Sequence, residues 1–135
     1  MVGGTQVHLL GHRNDVPAIL AALDLFALPS WSNEGVPQAI VQAMAMGLPI
    51  VTTDAGSIGE IIRHEDNGLI VKKRDADSLA AGLTWLLRDQ ELASRLGQTA
   101  RADALNQHTL DITLDRMERL MRAAIAEHTG KGIRI

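Results

Sequence analysis

The sequence predicts an α/β fold built on a parallel sheet, and three observations predict it. Short apolar runs at Val7–Leu10, Leu25–Leu28, Leu48–Thr53 and Leu69–Val71 alternate with segments whose apolar residues recur at helical intervals. The stretch from Pro29 to Gly59 reads as polar loop, helix, buried strand and second loop, the order of a parallel crossover unit. Beyond Asp75 the pattern is all helix. The expected architecture is a parallel sheet of about four strands with flanking helices and a helical C-terminal half. It forms one domain over residues 1–135, with an α/β part at 5–74, a helical part at 75–128 and a tail at 129–135.

Val7–Leu10 is the first short buried strand, ended by Gly11. His8 and His12 flank its end, but no third ligand follows at a suitable spacing, so no metal is assigned. Val16, Ile19, Leu20 and Leu23 share one face of a helix over Asp15–Leu23, with Asp15 and Pro17 at its start. Asp24–Leu28 is the second strand, and it leads into the polar loop Ser30–Val36. Trp31 in that loop either stacks on a sugar or base or folds over the loop for packing.

Pro37 suits the first position of the next helix, because its fixed φ fits the turn and its missing N–H would have had no helical partner. From that start Gln38 and Gln42 are one turn apart, with Glu34 about one turn before them, while Ile40, Val41 and Met44 face the sheet. On spacing alone, an acidic residue near a helix N-terminus with two solvent-facing glutamines accounts for this stripe. The alternative is a polar face turned to a ligand cleft. In a parallel unit, the helix start lies at the carboxyl edge of the sheet, where phosphates bind most readily.

Leu48–Thr53 is apolar and β-branched, as suits a strand covered on both faces. Asp54–Gly59 is a second loop at the same edge, and Glu60 either binds ligand or caps a short helix at Ile61 and Ile62; a supporting role is the expectation. Asn67-Gly68 signals a turn before the fourth strand, Leu69–Val71. Three apolar helical stripes follow: Leu79, Leu83, Leu86 and Leu87; then Leu92, Leu96 and Ala100; then Leu110, Leu114, Met117, Met121 and Ile125. The methionines are expected to fill core, and Gly97 to weaken the second helix.

Composition narrows the function. Apolar residues are 46% and charged residues 21%, an ordinary globular balance. Phe26, Trp31 and Trp85 are the only aromatics, so the core must be aliphatic. A net charge of −3 without a basic cluster argues against a nucleic-acid partner. There is no cysteine, hence neither a disulfide framework nor a thiol nucleophile. Val16–Pro29, the longest apolar run, is broken by Asp24 and too short to span a bilayer, and no signal peptide is evident. The cytoplasm is the expected compartment.

The segment S-N-E-G-V-P-Q-A-I-V-Q-A-M-A-M-G-L-P-I-V-T-T-D-A-G-S-I-G-E resembles the signature of the family 4 retaining glycosyltransferases, whose GT-B architecture pairs two Rossmann-like domains. Glu34 matches the first Glu of that signature, Gln42 falls where a second Glu is expected, and Gly56 and Glu60 match a Gly-Gly-x-x-Glu loop with Ser57 in place of its second Gly. The helical half from Asp75 to Arg101 is also similar to the family, so the likeness runs from Val7 to Glu127.

The resemblance implies that Glu34 is the catalytic-site carboxylate, orienting the donor sugar rather than attacking it. It implies that Gly35, Val36, Pro37 and Gln38 face the sugar or phosphates, and that position 42 grips the ribose. Gln42 keeps an acceptor oxygen and gains N–H donors but has no charge. One carboxyl group in this loop and helix, where typical glycosidases use two, favours transfer over hydrolysis.

A nucleotide-sugar is then a substrate, and no cofactor or metal is expected. The acceptor would be a glycan or a lipid-linked sugar, recognised by an N-terminal domain that lies outside this sequence, in cell-surface polysaccharide or lipopolysaccharide synthesis. Peripheral membrane association of the whole protein fits such an acceptor. The family's basic pair would lie upstream of Val7, and Arg13 has no context that promotes it. The family strand order 3-2-1-4-5-6 would leave Val7–Leu10 without a neighbour, to re-pair, lie loose or meet another chain. Two other readings are a non-catalytic nucleotide-sugar-binding or assembly module and, less favoured by the E-G-V-P-Q loop, a sugar-nucleotide epimerase.

Overall fold

The computed structural model describes residues 7–130. Among these residues nine elements follow one another: α1 (Val16–Ala21), β1 (Phe26–Leu28), α2 (Gln38–Ala45), β2 (Ile50–Thr52), α3 (Ile58–Ile61), β3 (Leu69–Ile70), α4 (Ala76–Arg88), α5 (Gln90–Gln107) and α6 (Leu110–Gly130). The strands form a 3-stranded parallel sheet in the order β1-β2-β3, with Phe26 opposite Ile50 and Val51 opposite Leu69.

The sheet therefore has three strands rather than four. Val7–Leu10 is not a strand, and Val7 and Leu9 are 78% and 96% exposed. A strand exists only where a neighbour pairs its N–H and C=O groups, and the expected strand order had already left this run without one. Of the expected tail, residues 131–135 lie outside the described residues, as do 5 and 6 of the α/β part, and 129–130 belong to α6.

β2 is buried along its whole length, and its alternation feeds two cores. Ile50 joins Ile40 and Met44 of α2, Ile58 and Ile61 of α3 and Ala100 and Ala104 of α5. Val51 joins Leu69, Leu86 of α4 and Ala93 and Leu96 of α5. Helix α5 thus serves both cores, and Gly97 is what lets it do so. The helix is continuous through Gly97, contrary to the weakening expected there, and a Cβ at that position would sit 3.1 Å from the Gly47 carbonyl carbon and closer still to its oxygen. Gly47 itself lies just past α2 with φ +74°, and the Arg101 guanidinium of α5 donates to the Ala45 carbonyl. A cation and a left-handed glycine together finish the C-terminal end of α2.

Asn67 does more than turn the chain. It is fully buried, accepts from Arg63 N at 2.7 Å, and donates from Nδ2 to Ile61 O at 3.0 Å and to Asp103 Oδ2 at 2.8 Å. Arg63 also reaches Asp103, at 2.8 Å, so one α5 carboxylate ties the α3–β3 turn to the helical half. The third stripe behaves otherwise. Leu110, Leu114, Met117 and Met121 are exposed on α6, so these methionines are not core filler; the stripe makes the helix amphipathic, but β2 lies against α2 and α4, and α5 packs on those two helices. Leu87 is likewise exposed, outside the stripe's buried part.

Replacing an interior helical glycine by alanine ordinarily stabilises by about 1 kcal/mol. Gly97→Ala should do the reverse, losing about 1–3 kcal/mol through displacement of α5 from Gly47. Urea unfolding would show this as a lower midpoint with an unchanged slope; a raised midpoint would contradict the close approach.

Candidate functional site

The carboxyl ends of the three strands feed three loops, and those loops are fastened to one another. Thr52 at the end of β2 donates its hydroxyl to Leu28 O at 2.8 Å, and the Thr53 hydroxyl donates to Ser30 O. Ser57 N donates to Glu34 O at 2.9 Å. Gly56, at φ +54°, lies so close to Glu34 that a Cβ there would be 2.8 Å from the Glu34 carbonyl carbon, and nearer to its N and O. Only a glycine allows the second loop to pass at that distance. The backbone of Glu34 is therefore held from beneath, and its half-buried side chain accepts from Ser30 Oγ at 2.8 Å.

Helix α2 starts one residue later than the sequence reading placed it. Pro37 has φ −69° and ψ 121°, an extended cap residue whose carbonyl accepts from Ile40 N at 3.0 Å and Val41 N at 3.3 Å. A proline in that place brings no side-chain acceptor, so no side chain caps the first turn. The Gln38 and Ala39 amides are left to a ligand or solvent, and Pro37, lacking an N–H, can shape this site but not donate to it. Gly35 has open space where a Cβ would be, and Val36 is exposed.

Gln38 and Gln42 are both exposed, one turn apart, while Ile40 and Met44 are fully buried and Val41 partly so. Gln38 lines a hollow of about 390 Å³ with Val41, His108, Leu110 and Thr113. Neither Glu34 nor Gln42 is part of that lining. Thus the loop leads into the uncapped helix start, Gln42 lies one turn further along α2, and Gln38 borders the hollow beside them. Glu60 sits inside the short helix α3, exposed, and is not its cap; Ser57 is the residue before the helix.

Sequence reasoning missed the loop after β3. Lys72, Lys73 and Arg74 form a consecutive basic run at this same edge, where no basic cluster had been expected. Lys73 Nζ lies 3.0 Å from Asp54 Oδ1, joining the second and third loops and holding the Asp54 carboxyl below its ordinary 3.8. Arg74 adopts φ +56° and stacks its guanidinium 4.3 Å from the centre of the Trp31 ring. Trp31 is 60% exposed, so it is under a cation rather than packed away. The signal was present as the K-K-R run; its proximity to Trp31 follows only from strand order. Arg13 hydrogen-bonds Asp15 at 2.7 and 2.5 Å, next to α1, and His8 and His12 are exposed.

Gly56→Ala should displace the Glu34 backbone, with a stability loss of about 1–3 kcal/mol and amide shifts at Glu34 and Gly35 in NMR spectra; unchanged spectra would refute the contact. For Asp54 the lowered folded value means that its tie to Lys73 contributes above pH 3.8 and is lost as pH falls through the lowered value. Lys73→Ala should raise the carboxyl ¹³C titration midpoint of Asp54, and an unmoved midpoint would show that the pair does not form.

The family described as glycosyl transferases group 1 matches residues 3–103. An N,N'-diacetylbacillosaminyl-diphospho-undecaprenol alpha-1,3-N-acetylgalactosaminyltransferase of Campylobacter jejuni is 37% identical over 99 residues, which is 73% of this chain and 26% of that protein. A UDP-Gal:alpha-D-GlcNAc-diphosphoundecaprenol alpha-1,3-galactosyltransferase of Escherichia coli is 39% identical over 85 residues, 62% of this chain and 21% of that one. The chain thus spans about a quarter of the length of these relatives. Among solved structures, Anabaena HepE in complex with UDP-glucose superposes with TM-score 0.78 at 30% identity, covering 84% of this chain and 31% of that one. A Rickettsia africae glycosyltransferase shares the fold, with TM-score 0.82 at 20% identity over 87% of this chain and 32% of its own.

Proposed function

The chain belongs to the glycosyl transferases group 1 family, and from that premise we propose that it is the donor-binding half of a retaining glycosyltransferase with a nucleotide-sugar donor. The observation that carries this reading is the clamp of Gly56 and Ser57 on the Glu34 backbone beside the uncapped start of α2. It presents an acceptor for sugar hydroxyls and donors for anionic phosphates within one short stretch of chain.

In this reading Glu34 accepts hydrogen bonds from donor-sugar hydroxyls, Ser30 fixing its orientation. The amides of Gly35, Val36 and Gln38 meet the sugar or phosphates, Pro37 sets the direction of α2, and Gln42, one turn along, takes the ribose. The acceptor oxygen bonds to the anomeric carbon as the bond from that carbon to the phosphate oxygen breaks. The bond's electron pair departs with the nucleoside diphosphate, and the acceptor proton leaves with the phosphate or to solvent. The helix start lowers the cost of charge developing on the leaving phosphate, and position 42 needs no charge for this. No cofactor or metal enters the scheme.

The named relatives act on sugars linked to diphospho-undecaprenol, which supports a lipid-linked or glycan acceptor in cell-surface polysaccharide or lipopolysaccharide synthesis. The acceptor would be held by a second domain. Among the described residues no helix is long and apolar enough to cross a membrane; a cytoplasmic enzyme touching the membrane peripherally fits that acceptor.

Sugar transfer by the full-length gene product tests the reading. Glu34→Ala should lower kcat/KM by about 100-fold or more, and Gln42→Ala should raise the donor KM by about tenfold. Transfer undiminished by Glu34→Ala would remove the assigned role.

A further inference from the structure

The third loop has no part in the scheme above, yet it carries the edge's unpaired positive charge. Lys72 and Arg74, with Pro29, Trp31, Asp75 and Leu79, line a hollow of about 250 Å³ on the side of the edge where α4 begins. Lys73 is spent on Asp54. Among the described residues, by contrast, no carboxylate lies within ion-pairing distance of Lys72 or Arg74, and the only partner of the Arg74 guanidinium is the Trp31 ring. Asp75 also faces the hollow, but its Oδ1 accepts from Ser78 N at 2.8 Å and caps α4.

Two further features show that the arrangement is held rather than incidental. Arg74 takes a left-handed φ of +56°, which side-chain-bearing residues seldom adopt, and this turn sets its guanidinium on the indole. Stacking fixes the plane of the guanidinium and leaves its in-plane N–H donors free for an oxyanion. Lys72 is fixed at its backbone, where its N–H donates to Ser78 Oγ at 3.1 Å.

We infer that Trp31, Lys72 and Arg74 form a phosphate-binding subsite, in which the stacked guanidinium takes two oxygens of one phosphate and the Lys72 ammonium adds a point charge. A carboxylate would satisfy the guanidinium alone; a phosphate offers further oxygens and charge for the lysine. The glycosyltransferase reading supplies two carriers of that phosphate, the diphosphate of the nucleotide-sugar donor and the diphosphate of a lipid-linked acceptor. The subsite rests on that reading only for the identity of the carrier. It also gives the edge cations of its own, which the sequence had not led one to expect.

The test uses inorganic pyrophosphate as probe and Trp31 as reporter, in the chain with Trp85→Phe so that Trp31 is its sole tryptophan. Pyrophosphate should change the Trp31 emission saturably. Arg74→Gly suits the φ of +56° better than arginine does, so it keeps the loop while removing the guanidinium; it and Lys72→Gln should each weaken binding by about tenfold. Arg74→Lys should recover only part of the loss. An emission that pyrophosphate leaves unchanged, or an affinity within about twofold of the parent in both Arg74→Gly and Lys72→Gln, would overturn the proposal. Added UDP separates the carriers: displacement of pyrophosphate assigns the subsite to the donor, and simultaneous binding assigns it to the acceptor. The two readings fail separately, since pyrophosphate has no sugar for Glu34 to hold, whereas Glu34→Ala is read on sugar transfer.

Discussion

The contact on which the rest depends is the passage of Gly56 against the backbone of Glu34. Two loops that leave neighbouring parallel strands would otherwise be free to splay, because strand pairing ends at Leu28 and Thr52. A missing Cβ and one amide hydrogen bond from Ser57 bring them together. The Thr52 and Thr53 hydroxyls add side-chain ties from the end of β2 to the first loop. Every chemical role argued for Glu34 and for the start of α2 presupposes that those backbone atoms hold still.

That edge is stiff because the layer beneath it is. β2 is buried on both faces and divides its side chains between two cores, so neither core can shift without moving the strand that ends at Thr52. A second glycine contact, Gly97 on Gly47, lets α5 close against the far end of α2. Helix α2 is thus fixed at its C-terminal end by packing and by Arg101, while its N-terminal end carries no side-chain cap. The asymmetry suits an anion site, since the unpaired N–H groups and the positive dipole end stay at the end without a cap. A hollow of about 380 Å³ opens at the amino edge, near Asp24, Pro49, Gln90 and Ser94, and α5, which begins beside it, is capped by the Asp89 side chain.

What could be read from the sequence was what local periodicity encodes. Parallel strands within Leu25–Leu28, Leu48–Thr53 and Leu69–Val71, found at 26–28, 50–52 and 69–70, the buried face of α2 with Ile40 and Met44, and the exposure of Gln38 and Gln42 all follow from residue spacing. The quoted motif brought Glu34, Gly56 and Ser57 into one frame, and the structure adds that they touch. Features resting on distant partners were illegible: Asn67 looks like a turn residue until Asp103, 36 residues on, is placed beside it. Likewise the run Lys72–Arg74 has meaning only once β3 sets it across from Trp31. The stripe on α6 showed that a face is apolar, and apolar patterning states a preference for burial without naming what covers it. Pro37 was misplaced by one position because a proline satisfies the φ of both a cap and a first helical residue, and only ψ tells them apart.

In the proposed reading one ligand meets the Glu34 loop and the start of α2 together. Titrating the ¹⁵N-labelled chain with UDP-glucose as the probe tests it most directly. The Gly35, Val36 and Gln38 amide signals should move together with a single affinity, and the same affinity should weaken in Glu34→Ala. Shifts confined to the amino edge around Asp24, Gln90 and Ser94, with those three amides unmoved, would contradict it.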